Sequence, residues 1–172
     1  MRRIFVFLIL FMFCFSWQTC AKQLSIQDIM DNLPEIKNTY CDFTQEKYIS
    51  NSGIKLVSGG KFQFDKENGV IFETLYPIQN TISYSASANQ KINRIVNAIS
   101  NQNFSALEKN FDLVFDEKET SWYLQLTPKT DSQMAQVLKF IELSGNKQSI
   151  EKIHIYNVNS DYTLLKFSCP KE

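Results

Sequence analysis

The sequence predicts a mainly β protein with a few helices, an α+β chain built on one large antiparallel sheet. Three observations carry this. From Tyr40 onward, apolar residues fall on alternate positions in segment after segment. Turn-forming clusters separate those segments at hairpin spacing, and only two or three stretches show helical periodicity.

The first residues stand apart from that pattern. Met1-Arg2-Arg3 is a basic head, Ile4 to Phe15 is an unbroken apolar run, and Thr19-Cys20-Ala21 offers small residues at the third and first positions before a cut. This is the make-up of a cleavable secretory signal peptide, with residues 1–21 removed and 22–172 forming the mature domain. The run is too short to anchor the chain across a bilayer. A buried N-terminal element is the other reading, but the run has no polar face and would need cover on every side. Lipid attachment at Cys20 is not expected, because Trp17-Gln18-Thr19 lacks the small aliphatic residues that precede a lipidated cysteine.

The mature elements follow in order. Ser25 can cap a helix from Ile26, Asp28 supports the cap, and Ile26, Ile29, Met30 and Leu33 share one face before Pro34 ends it. Strand alternation then runs through Lys61 to Phe64, Ile82 to Ala86, Phe111 to Leu113, Trp122 to Leu126, Lys139 to Leu143, Ile153 to Ile155 and Leu165 to Phe167. Turns are expected at Asn51-Ser52-Gly53, Glu67-Asn68-Gly69, Ser144-Gly145-Asn146 and Asn159-Ser160-Asp161. About ten strands result. Ile92 to Leu107 interrupts them with Ile95, Val96 and Ile99 at helical spacing and a further turn at Phe104 to Leu107. So few helices can cover one side of a sheet but not two.

Composition narrows the function classes. The chain has 18 Lys+Arg against 18 Asp+Glu, 44% hydrophobic residues and 13% aromatic residues. A balanced charge offers no basic patch for phosphate backbones, so nucleic acid is not an expected partner. Aromatic content this high argues for a folded domain rather than a disordered one. With the signal gone, Cys41 and Cys169 are the remaining cysteines. Two cysteines in an oxidising compartment point to one disulfide, with a pair of buried thiols as the other reading.

Catalytic and metal chemistry find little support. The single histidine, His154, lies between Ile153 and Ile155 and points to the face opposite theirs, as a solvent-side strand residue does. One His and two distant Cys give no zinc-ligand spacing. A Cys41/His154 nucleophilic pair would require a reduced thiol where oxidation is favoured. Ser58-Gly59-Gly60-Lys61-Phe62 is no phosphate loop, since Gly53 and Gly59 are too far apart and Phe62 replaces the magnesium-binding hydroxyl. Two glycines before a strand mark a bulge or a tight bend instead. Asn103-Phe104-Ser105 matches a glycosylation sequon, and Asp116/Glu117 beside Lys118 looks like a solvated hairpin end.

The motifs also fall in a familiar order. Phe43-Thr44-Gln45-Glu46-Lys47, then Ser58-Gly59-Gly60-Lys61-Phe62-Gln63-Phe64, then Gly69 to Pro77, resembles the LolA-like family of outer-membrane lipoprotein carriers. Trp122-Tyr123-Leu124-Gln125-Leu126-Thr127-Pro128 and Asp161-Tyr162-Thr163 are similar to later family segments. The resemblance implies a half-open antiparallel β-barrel with an α-helical lid over an apolar cavity. Such a carrier moves a lipidated protein or other lipid cargo across the periplasm, from an inner-membrane donor to an outer-membrane acceptor. No cofactor is implied, and a monomer is expected. Phe62, Phe64, Phe72, Tyr84, Trp122 and Leu124 are the implied cavity wall, on strand segments that the match places in the barrel. Lys66, eleven residues before Pro77, occupies the place of a lid-holding arginine in the carriers proper. Lysine lacks the planar fork of arginine, so an equivalent latch is not expected to be retained in full. The departures, including Phe72 at a position where the family often has Trp, suit a divergent branch with its own cargo.

An adaptor domain with a solid core is the main rival, because buried strands look alike whether the space between them is filled or empty. A lipid hydrolase is the weaker rival, lacking a nucleophile, base and orienting group. Export is testable at once. Intact-mass measurement of periplasmic protein should show cleavage after Ala21, whereas a chain retaining Met1 to Ala21 would refute the signal.

Overall fold

The computed structural model describes Leu33, residues 39–65, 69–84, Ile95, Ala98, Ile99, and residues 103–147 and 149–170. The expected signal segment and the helix after Ser25 lie outside the described residues, apart from Leu33, which is buried.

Among the described residues nine strands form one antiparallel sheet: β1 (Thr39–Ile49), β2 (Ile54–Asp65), β3 (Gly69–Tyr76), β4 (Asn80–Tyr84), β5 (Phe111–Glu117), β6 (Ser121–Pro128), β7 (Leu138–Asn146), β8 (Ile150–Asn157) and β9 (Tyr162–Ser168). Their spatial order is β4-β3-β2-β1-β9-β8-β7-β6-β5. Two hairpin meanders are thus fused where β1 pairs with β9, from Asp42 opposite Ser168 to Tyr48 opposite Tyr162. The sheet is open, with β4 and β5 as its edges.

This order explains where the helices go. The chain between β4 and β5 must pass from one edge of the sheet to the other, a span of eight strand spacings or roughly 40 Å. Its described helical residues, Ile95, Ala98, Ile99 and those of α1 (Phe104–Glu108), travel with it. Ile95, Ala98, Ile99, Phe104 and Leu107 are buried in one continuous core with Phe43, Phe64, Leu124, Leu143 and Leu165. Helical spacing of the apolar residues therefore builds a cover for one face of the sheet.

Local chemistry fixes the strand boundaries. Gly53 turns at φ 65°, Gly69 at φ 82° and Ser160 at φ 67°, as hairpin reversals demand. At Gly59/Gly60 the β2–β3 register shifts. A Cβ on Gly60 would run into the Glu73 backbone, and one on Gly59 into the Tyr76 ring. The glycine pair is a bulge at a close backbone approach. One turn expectation is corrected. Ser144-Gly145-Asn146 is no break, since β7 continues to Asn146 and the register with β8 shifts at Ser144/Gly145. Strand pairing wins there because Gly145 admits the close approach of Ser149 and Ile150. The reversal comes just after, where Ser149 N–H donates to Asn146 Oδ1 at 3.0 Å.

Both ends of the β1–β9 seam are tied. At one end Cys41 and Cys169 form a disulfide across a sequence separation of 128. At the other, Ser50 N–H donates to Asp161 Oδ1 at 2.8 Å, linking the β1–β2 turn to the β8–β9 turn. That bond is the first cause holding the Asp161 carboxyl below its usual range. Closing so long a loop restricts the unfolded chain by about 5 kcal/mol in the chain-entropy picture, before any strain. Denatured, unreduced protein should therefore show no titratable thiol, and reduction should lower the unfolding free energy by up to that amount. Two free thiols in protein taken directly from its compartment would contradict the pairing.

Candidate functional site

Strand register sorts the side chains into two faces. Across the inner face one row runs Phe115, Leu124, Leu143, Ile153, Leu165, Gln45, with each neighbour on the adjacent strand. A second row runs Phe167, Phe43, Gly60, Thr74, and a third begins Cys41, Phe62, Phe72, Ile82. Leu124, Leu126 and Leu143 have no exposed surface, so β6 and β7 are fully covered on this side. Complete burial of each such leucine contributes about 1.5–3 kcal/mol.

The other end of the face is also buried, with Phe62 8% and Phe64 2% exposed, but it holds a small crevice open in part to solvent where β2, β1, β9 and β8 run side by side. Phe62, Phe64, Ile150, Ile153, Phe167 and the Cys41–Cys169 disulfide line it, with Thr39 and Ser149 as its polar margin. Phe72 stands behind, edge-on to Phe43 at 5.2 Å and tilted against Phe62 at 5.0 Å. Phe62 also meets Phe167 at 4.7 Å. The walls are aromatic rings with few polar groups, which suits apolar matter and offers no anchor for a charged or metal-bound substrate. Among the described residues no three His, Cys, Asp or Glu gather as metal ligands, and no helix is long and apolar enough to cross a membrane.

The expected wall residues divide between these regions. Phe62 and Phe64 line the crevice, and Phe72 adjoins it. Trp122 and Leu124 share the same face of the sheet but lie under the covered half, where the Trp122 Nε1–H donates to the Asn146 carbonyl at 2.7 Å. Tyr84 holds the β4 position opposite Val70, which puts it in register with that face. Lys66 lies outside the described residues. Ile150, Ile153 and Phe167 escaped the sequence argument. Alternation marks Ile153 and Phe167 as inward, but only register shows that strands 100 residues apart place them beside Phe62.

The outer face carries a different chemistry. A cross-strand row of Tyr48, Tyr162, Tyr156 and Phe140 spans β1, β9, β8 and β7. Tyr48 stacks on Tyr162 at 5.2 Å, and Phe140 meets Tyr156 at 4.4 Å. Tyr162 O–H donates to the Glu46 carboxylate, which also pairs with Lys55 at 3.0 Å. These two hydrogen bonds hold the Glu46 carboxyl below its usual range. Burial, then a hydrogen bond to Glu142, pushes the Tyr123 hydroxyl up to about 12.

His154 occupies this outer face, as its flanking isoleucines predict, but it is not freely solvated. Its side chain is 15% exposed, its ring lies 3.9 Å from that of Tyr156, and its Nε2 is buried without a hydrogen-bond partner. The Glu142 carboxylate stands 3.9 Å from its Nδ1, beyond hydrogen-bonding distance. Burial lowers the His154 pKa below its usual value, against the opposing pull of Glu142.

No protein-family profile matches the chain, and no curated protein does. Among solved structures it is similar to a LolA superfamily protein from Nitrosomonas europaea, at 12% identity and a TM-score of 0.36, over 84% of this chain and 92% of that one.

The His154 environment has a measurable consequence. The native state prefers the neutral imidazole, so this contribution to stability is complete above pH 6.5 and is lost as pH falls through the lowered native pKa. Thermal melts should show a Tm decrease between pH 7.5 and 5 that is smaller in His154→Gln. Parallel decreases in the two proteins would contradict this assignment.

Proposed function

We propose that this chain is an exported, non-catalytic carrier that shields acyl chains of a lipidated protein or other lipid in the periplasm and delivers them toward the outer membrane. The observation that carries this is the apolar crevice bounded by Phe62, Phe64, Ile150, Ile153 and Phe167. The order of motifs from Phe43 to Thr163 supports it independently. An inner-membrane donor and an outer-membrane acceptor belong to the same proposal.

The physical requirement is specific. Acyl chains in water cost about 0.8 kcal/mol per CH₂, so a cargo of two or three chains faces a penalty on the order of tens of kcal/mol. A carrier must offset most of that and still let go. Aromatic walls do so through non-directional contacts, which a chain can exchange gradually as it leaves. In this account Phe72 and Tyr84 extend the wall, Lys66 sits at its rim, and the crevice is the first place a chain enters. Trp122 and Leu124 become lining only if the helical cover moves. Full burial of Leu124 otherwise favours a packed core beneath it.

Paired substitutions separate the two halves of the face. A fluorescent acyl probe should bind the wild-type protein saturably, and Ile150→Glu, at a partly exposed lining position, should weaken binding at least tenfold because a carboxylate then stands in the crevice. Leu124→Glu should lower thermal stability sharply, since an unpaired carboxylate buried in packed apolar surroundings costs several kcal/mol. Wild-type protein that takes up no probe would overturn the carrier function in favour of a solid adaptor domain.

A further inference from the structure

The size of the crevice limits its guest. Even with the part open to solvent counted, it holds about 370 Å³ of atom-free space. A methylene group fills roughly the volume that a water molecule takes in the liquid, about 30 Å³. About a dozen methylenes therefore exhaust the crevice, which is the greater part of one acyl chain. Two chains of that length would need twice the room.

The surroundings offer a second chain no place. The Phe62 ring meets that of Phe167 at 4.7 Å and that of Phe72 at 5.0 Å between centroids, so the wall is closed by rings in contact. Elsewhere on the inner face, among the described residues, Val70, Leu124, Leu126 and Leu143 have no exposed surface. Space there would open only by separating packed side chains, with the loss of contacts that any new cavity brings. The lining is also selective for the chain rather than the head of a lipid. Its polar members are Thr39 and Ser149, and none of the residues lining it is charged. A charged head group would find no counter-ion in that lining and stays in water.

We infer that the crevice takes one acyl chain and that the cargo is a single-chain amphiphile, not a lipid with two or three chains. This rests on the carrier function proposed above and narrows it. A second chain left outside the crevice keeps its whole cost of exposure to water, so a two-chain lipid stays in its bilayer. A single chain of about a dozen methylenes is shielded over its length.

Displacement of the fluorescent acyl probe by straight-chain fatty acids of about eight to eighteen carbons, each below its micelle concentration, measures the limit. Affinity should rise about fourfold per methylene and level off near a dozen. A rise that continues through the longest acid would overturn the inference and leave the carrier function standing. Ile150→Trp, which fills part of the crevice at a partly exposed position, should bring the levelling-off to shorter acids. An unchanged break would show that another surface measures the chain, and would overturn the inference as well. Vesicles of diacyl phosphatidylglycerol with about one part in ten of lysophosphatidylglycerol supply the second readout. Native mass spectrometry of protein recovered from them should find one lysolipid per chain. A diacyl lipid on the protein, or two lysolipids on one chain, would contradict the single-chain limit. Failure of every acid to displace the probe, with no lipid recovered, would overturn the carrier function itself, an outcome distinct from the others.

Discussion

Everything in this fold depends on the pairing of β1 with β9. Seven register pairs, from Asp42 opposite Ser168 to Tyr48 opposite Tyr162, turn two meanders into one nine-stranded sheet. Without them, β1–β4 and β5–β9 would be separate sheets, each with an apolar face in need of cover. With them, β4 and β5 become opposite edges and the connecting chain must cross the sheet. The seam is clamped at both ends, by Cys41–Cys169 near the crevice and by Ser50 to Asp161 between the distant turns. The disulfide clamp also forms part of the crevice wall. The fold and the candidate site therefore share their most constrained point.

The two faces divide the work. The inner face is apolar by alternation and largely buried, with a small crevice among Cys41, Phe62, Phe64, Ile153 and Phe167. The outer face holds the polar and aromatic groups that lock neighbouring strands, with Glu46 shared by Tyr162 and Lys55, and Glu142 by Tyr123. β3 pairs with β2 only from Gly59 onward, so among the described residues Ile54–Ser58 have no strand on that side.

Much of the sheet was legible in the sequence because alternation is local. Trp122, Leu124 and Leu126 point inward, His154 points away from its flanking isoleucines, and the Gly59-Gly60 pair reads as a bulge, each within a few residues. Turn chemistry placed the reversals at Asn51-Ser52-Gly53 and Asn159-Ser160-Asp161 for the same reason. Gly145 misled, because a glycine that permits a turn equally permits the close strand contact it makes here. What alternation cannot supply is which strand lies beside which. The meeting of Phe62 with Phe167 and Ile153 follows from register between distant segments. So does the covering of His154, whose neighbours Tyr156 and Tyr162 are unremarkable in sequence.

An apolar crevice becomes a carrier site only if an acyl chain occupies it, and its position can be observed. A crystal of the protein with a bromine-tagged long-chain fatty acid would place the tag through its anomalous signal. The account predicts bromine among Phe62, Phe64, Ile150 and Phe167, within van der Waals contact of the Cys41–Cys169 bridge. A tag bound only on the outer face, or no bound acid at saturating concentration, would contradict it.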